Sequence, residues 1–297
     1  MLQIRRTIDV PPHQAGGFDH GDVHSASGRV FVAHTAFGQV EILDGEEGRH
    51  ERIVPDCPEA SGVLYAPEVD WMFAAARGSG QILVLTASGD LVRTVTVGTR
   101  PNGMAWDPDR RRLLVADVQD NQARIVDPVT GKILVTTQLP GRPRWCAYDR
   151  PGDRFWVNIR EPAQLVAIAA DTGILTASVP VAGVGPHGLA LDQEAGRLYV
   201  ACDSGDLVVL DWASGATLAG VPIAGEPDVL WLNSRRRRLY VAIGTPGVLQ
   251  VLDLQRLHIV EEMPTEEGAK TFTFDEQRQR LYVFLPQRCQ ALVYDEV

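Results

Sequence analysis

Short apolar runs broken by turn residues follow one another along the whole chain, and they do so on a fixed period. Arg100-Pro-Asn-Gly-Met-Ala-Trp-Asp107, Gly185-Pro-His-Gly-Leu-Ala-Leu-Asp192 and Glu226-Pro-Asp-Val-Leu-Trp-Leu-Asn233 occupy the same place in different units. Each leads through a turn into a second apolar strand, such as Arg112-Leu-Leu-Val-Ala116, Arg197-Leu-Tyr-Val-Ala201, Arg238-Leu-Tyr-Val-Ala242 or Arg280-Leu-Tyr-Val283. A third strand follows, as in Val40-Glu-Ile-Leu43, Ala123-Arg-Ile-Val126 and Leu207-Val-Val-Leu210. The next hairpins, Asp127-Pro-Val-Thr-Gly131 and Asp211-Trp-Ala-Ser-Gly215, use Asp to open the turn and Gly to supply a positive φ. A fourth strand such as Lys132-Ile-Leu-Val-Thr-Thr-Gln138 completes the unit.

Seven such units of roughly 42 residues predict an all-β, seven-bladed β-propeller with four-stranded antiparallel blades, a single domain over residues 1–297. Blades begin near residues 18, 59, 100, 142, 185, 226 and 268. Even strand spacing also suits a sandwich, but a constant period with four strands per unit favours radial stacking. The last unit reaches only its third strand, Ala291-Leu-Val-Tyr294. The missing strand is expected in residues 1–14, where Leu2, Ile4, Ile8 and Val10 share one face of a period-2 pattern. Pairing it as the outer strand of blade seven closes the ring and removes two open edges.

Composition narrows the class. Hydrophobic residues at 45% and charged residues at 22% are ordinary for a globular protein. No apolar run approaches the roughly 18 residues that a spanning helix needs, and no membrane role is expected. The segment Met1–Val10 has no secretory apolar core, so a cytoplasmic location is expected. Cys57, Cys146, Cys202 and Cys289 fall in different units without Cys-x-x-Cys spacing, which suits reduced, buried thiols. A net charge of −10 argues against nucleic acid as a partner. The basic run Ser234-Arg-Arg-Arg-Arg238 has counterparts in Asp109-Arg-Arg-Arg112 and Glu276-Gln-Arg-Gln-Arg280, so it reads as a solvated hairpin turn.

The Pro-x-Gly before the inner strand, the Arg-Leu-Tyr-Val-Ala of the second and the Val-x-Asp-x-x-Thr/Ser-Gly hairpin resemble the YncE-like family of YVTN propeller repeats. The resemblance covers nearly the whole chain. It implies the propeller fold, and it leaves function open because members differ in what they bind. Family members are often exported, and the expected cytoplasmic location departs from them.

In a propeller, the loops entering the inner strands and leaving the second strands ring one mouth of the central channel. The slot just inside that mouth is filled by His20, Ser61, Asn102, Arg144, His187, Asp228 and Lys270, all polar and spaced 41 to 43 residues apart. Their convergence would make a small-molecule site, although channel mouths are wet and polar in any case. Arg144 and Lys270 are suited to hold a carboxylate or phosphate, and His20 and His187 are the candidates for proton transfer. In the first unit, His20, Asp22 and His24 alternate along one strand, a spacing that offers ligands to a divalent metal ion, with His34 as a fourth. An internal hydrogen-bond network would satisfy the same groups without metal. In the fifth unit, Gly185-Pro-His-Gly followed by Ala201-Cys-Asp203 resembles the repeat of streptogramin B lyase, a magnesium-dependent propeller enzyme. That resemblance implies a catalytic His187, with Asp203 standing where the lyase has glutamate. The expected function is therefore small-molecule binding in the channel, extending to metal-assisted lyase or hydrolase chemistry on a polar or anionic substrate. The alternative is a non-catalytic platform for a protein or peptide partner, since propellers host both.

Overall fold

Seven four-stranded antiparallel sheets make up the described residues of the computed structural model, which are 1–13 and 16–297. Six blades take their strands in chain order, over residues 18–54, 60–96, 101–138, 143–180, 186–222 and 226–264. The seventh combines Thr271–Asp275, Arg280–Leu285 and Gln290–Glu296 with the N-terminal strand Leu2–Asp9 on its outer edge. The protein is a seven-bladed β-propeller.

The core lies between blades, because each sheet is apolar on both faces of its two middle strands. Val30, Phe31, Val32 and Ala33 in blade one, for example, are all fully buried. Phe31 and Ala33 pack on blade two, while Val30 and Val32 pack on blade seven. The closing strand is used in the same two-sided way. A bulge at Arg5, between the pairs Ile4–Tyr294 and Arg6–Val293, reverses the alternation. Leu2 therefore packs toward blade six, whereas Ile8 and Val10 pack toward blade one. Ile4, expected on one buried face with Leu2, Ile8 and Val10, is 63% exposed.

The hairpin between inner and second strands repeats its chemistry. Asp107, Asp149, Asp192, Asn233 and Asp275 each accept a backbone N–H three residues on. The residue just before every second strand is left-handed, as glycine at Gly28 and Gly196 and as Asp70, Arg111, Asp153, Arg237 and Gln279 elsewhere. The basic run at 234–238 is such a turn. Its arginines reach neighbouring blades, Arg237 to Asp192 at 2.6 Å and Arg238 to Glu296 at 3.1 Å.

A second irregularity positions the site. Near the start of the inner strand in blades one to six the register slips, between Phe18 and Gly21, Ala60 and Val63, Pro101 and Met104, Pro143 and Cys146, Pro186 and Gly188, and Pro227 and Leu230. His20, Ser61, Asn102, Arg144, His187 and Asp228 all fall in that bulge, where a side chain leaves the alternation of the sheet.

Candidate functional site

A cavity of about 710 Å³ opens at the end of the channel where the inner strands begin. Of the seven slot residues, His20, Asn102, Arg144, His187, Asp228 and Lys270 line it. Ser61 is fully buried instead, and its hydroxyl donates to the carbonyls of Pro101 at 3.2 Å and Ala75 at 3.4 Å, so it serves the packing between blades.

Asp228 is the hub. It is buried, and its Oδ1 lies 3.0 Å from His187 Nε2 and 3.7 Å from His20 Nε2, while Oδ2 lies 3.3 Å from Lys270 Nζ. Burial alone would raise its carboxyl, but the charge and hydrogen bond of His187, together with the charge of Lys270, outweigh that and hold it well below the ordinary value. The Nδ1 of His187 meets Asp203 Oδ1 at 3.0 Å. Burial opposes its charge, yet Asp228 and Asp203 together raise its pKa, so the two carboxylates favour the imidazolium form over that of a free histidine. Asp203 is held down in turn by His187 and by Arg160, whose Nη2 lies 2.8 Å away.

His20 is held differently. Its Nδ1 contacts Asp19, and the other oxygen of Asp19 takes Arg77 Nη2 at 3.1 Å. Trp145 stacks on the imidazole at 4.2 Å between ring centroids. The Nε2 of His20 is buried and has no hydrogen-bond partner among the described residues. Arg144 is half-buried, and among the described residues it has no carboxylate partner and its Nε is unpartnered. Burial and the neighbouring Arg142 lower its pKa by more than the nearby Asp228 and Asp203 raise it. Asn102 Oδ1 is also buried without a partner among the described residues.

The expected metal ligands His20, Asp22, His24 and His34 do not converge. The bulge at His20 breaks the alternation that would put all three residues of the first strand on one face. Asp22 accepts backbone N–H groups from Val23 at 2.7 Å and Tyr65 at 2.8 Å. His24 is bound at both ring nitrogens by Ser27 and Asp70, at 2.6 and 2.8 Å. His34 is bound by Glu41 and His13, at 2.6 and 2.7 Å. A different trio, Asp19, His20 and Asp228, comes together. Its donor set suits a divalent ion poorly, because Arg77, Lys270 and His187 already neutralise both carboxylates.

Asp19, Arg77, Arg160 and Trp145 escaped the sequence reading. Arg77 and Arg160 follow their second strands at the slot that Asp203 fills in blade five, so the same period applied to that loop would have found them. Asp19 stands where blades three to six have Pro101, Pro143, Pro186 and Pro227. The four cysteines are buried and free.

Fold and mouth together define a propeller with a charged, histidine-bearing channel entrance. No protein-family model matches the chain. Among solved structures, a propeller in Kuenenia stuttgartiensis hydrazine synthase superposes with a TM-score of 0.87 at 13% identity, covering 97% of each chain. A propeller in a mitotic checkpoint complex superposes at 0.84 and 13% identity, covering 99% of this chain and 91% of that one. These likenesses concern the fold. Antigen Lp49 of Leptospira interrogans serogroup Icterohaemorrhagiae serovar copenhageni (strain Fiocruz L1-130) is 22% identical over 112 residues. That match takes in 33% of this chain and 25% of the antigen, so the chain spans a quarter of the relative's length. No helix is long and apolar enough to cross a membrane among the described residues.

Proposed function

We propose that the protein binds a small organic anion, a carboxylate or phosphate ester, in the channel mouth and uses His20 to move a proton on it. Arg144 carries the reading, as a half-buried guanidinium facing the cavity with no carboxylate of its own among the described residues. The charge balance points the same way. Around the cavity, Asp19, Asp228 and Glu267 stand against Arg77, Arg144, Lys270 and a protonated His187, a surplus of one positive charge in a chain of net charge −10. A guanidinium recognises carboxylate or phosphate through paired N–H donors.

The two histidines take different roles. His187, bonded at both nitrogens to carboxylates, is a fixed positive charge beside the ligand. His20 has the arrangement of an acid/base, with Asp19 fixing the ring through Nδ1 and Nε2 left for a proton from a C–H next to the anionic group or from an attacking water. Lyase or hydrolase chemistry fits that arrangement, and the cations around Asp19 and Asp228 favour a form of it without metal. The YncE-like frame for this reading rests on the repeat motifs alone.

A thermal-shift screen of small carboxylates and phosphate esters, followed by turnover assays on each hit, tests the proposal. His20→Gln is expected to keep binding within a few-fold and to lower turnover about 100-fold or more. His187→Gln is expected to weaken binding. Unchanged binding and turnover in both variants would remove the assignment.

A further inference from the structure

At its far end the channel has a second opening, lined by the later parts of the same inner strands. The boundary falls within one blade: Arg144 lines the first cavity, and the next residue, Trp145, lines the second. Trp145 stacks under His20 and forms a septum between the two. The far cavity holds about 440 Å³ and is continuous along Trp145, Tyr148 and Trp231 with a groove of about 480 Å³, within the size range of small-molecule sites.

We infer that this far mouth binds a small organic ammonium ion. Four aromatic side chains, Trp106, Trp145, Tyr148 and Trp231, wall a single cavity. The polar groups among them are acceptors. Glu68 Oε2 takes the indole N–H of Trp106 at 2.8 Å, and Glu276 lines the groove beside Trp231. With the N–H edge of Trp106 engaged, its π face is what that indole has left to offer. Asp22 adds a carboxyl deep in the channel, its oxygens each taking one backbone N–H and each keeping a further lone pair. Arg150, the cation on this wall, is already bonded to Asp109 at 3.0 Å.

That combination selects by chemistry. A metal ion or inorganic cation gains nothing from aromatic walls while losing its water. A neutral apolar ligand has no use for the acceptors Asp22, Glu68 and Glu276, and an anion finds no positive charge among them. A methylated or alkyl ammonium satisfies both, with cation–π attraction from the rings and charge from the glutamates at the rim. The site lies at the other end of the channel from the near mouth and does not depend on the function proposed there.

Choline and its neutral isostere 3,3-dimethyl-1-butanol are the probes, titrated calorimetrically into the full-length protein. Choline is expected to bind at least about tenfold more tightly than the isostere. Trp231→Leu, which keeps an apolar wall, and Glu276→Gln, on the exposed rim, are each expected to weaken choline about three- to tenfold. The Gln variant should leave the isostere unchanged. Equal binding of the two probes, no choline binding tighter than about 10 mM, or a Glu276→Gln protein that binds choline like the wild type would overturn the inference.

Discussion

His20 and Asp22 are two residues apart on one strand, yet they serve opposite ends of the channel because a bulge lies at His20. Their ionisation follows from where they end up. Removal from bulk water raises the Asp22 carboxyl to about 7, against an ordinary value of 3.8. Folding therefore takes up a proton in this range, and the stability linked to Asp22 is present below about pH 4 and lost as pH rises through 7. His187 acts in the same direction, since its pKa is raised and its contribution fades as pH rises through the folded value. Asp203 and Asp228 act oppositely, but only where pH falls below the ordinary carboxylate range. His13, whose pKa burial lowers, pulls the other way in both proteins, so denaturant midpoints from pH 5 to 8 should fall more steeply in the wild type than in Asp22→Asn. The variant loses absolute stability too, because its amide N–H₂ faces a backbone donor, so the slope is the informative quantity. Equal slopes would contradict the account.

At the scale of strands and turns, the period made the blades legible, because every unit repeats the same turn chemistry between the same apolar runs. The channel slot was legible for the same reason, and six of its seven side chains line one cavity. Ser61 does not, as its hydroxyl finds backbone carbonyls before it reaches the opening. Bulges were illegible. They leave residue spacing untouched while changing which face a side chain takes, and they account for the scattered metal ligands and for the closing strand packing Leu2 and Ile8 on opposite blades. The left-handed turn residue is a backbone requirement that five blades meet without glycine. Arg111 is the plainest case, exposed with φ at 53°. Relief of that strain in Arg111→Gly is expected to outweigh the added chain entropy by about 0.5–1 kcal/mol. Chemical denaturation checks it, and a lower midpoint would show that the turn is not strained.

Over the whole molecule, the disc carries a mouth of paired charges and histidines at one end of its channel and an acidic, aromatic mouth at the other, with Trp145 between them. The blades that hold these mouths apart are latched by ion pairs such as Arg110–Asp153 and Arg237–Asp192, and the ring is closed by the strand Leu2–Asp9. Rigid blades can hold a guanidinium in place without a partner, at a cost to stability that a bound anion would recover. Melting temperatures of the wild-type and Arg144→Met proteins, each alone and with the panel of small carboxylates and phosphate esters, test this most directly. The account predicts that Arg144→Met alone melts roughly 2–4 °C higher than the wild type and no longer responds to anions that stabilise the wild type. A variant that melts lower and still gains stability from the same anions would contradict it.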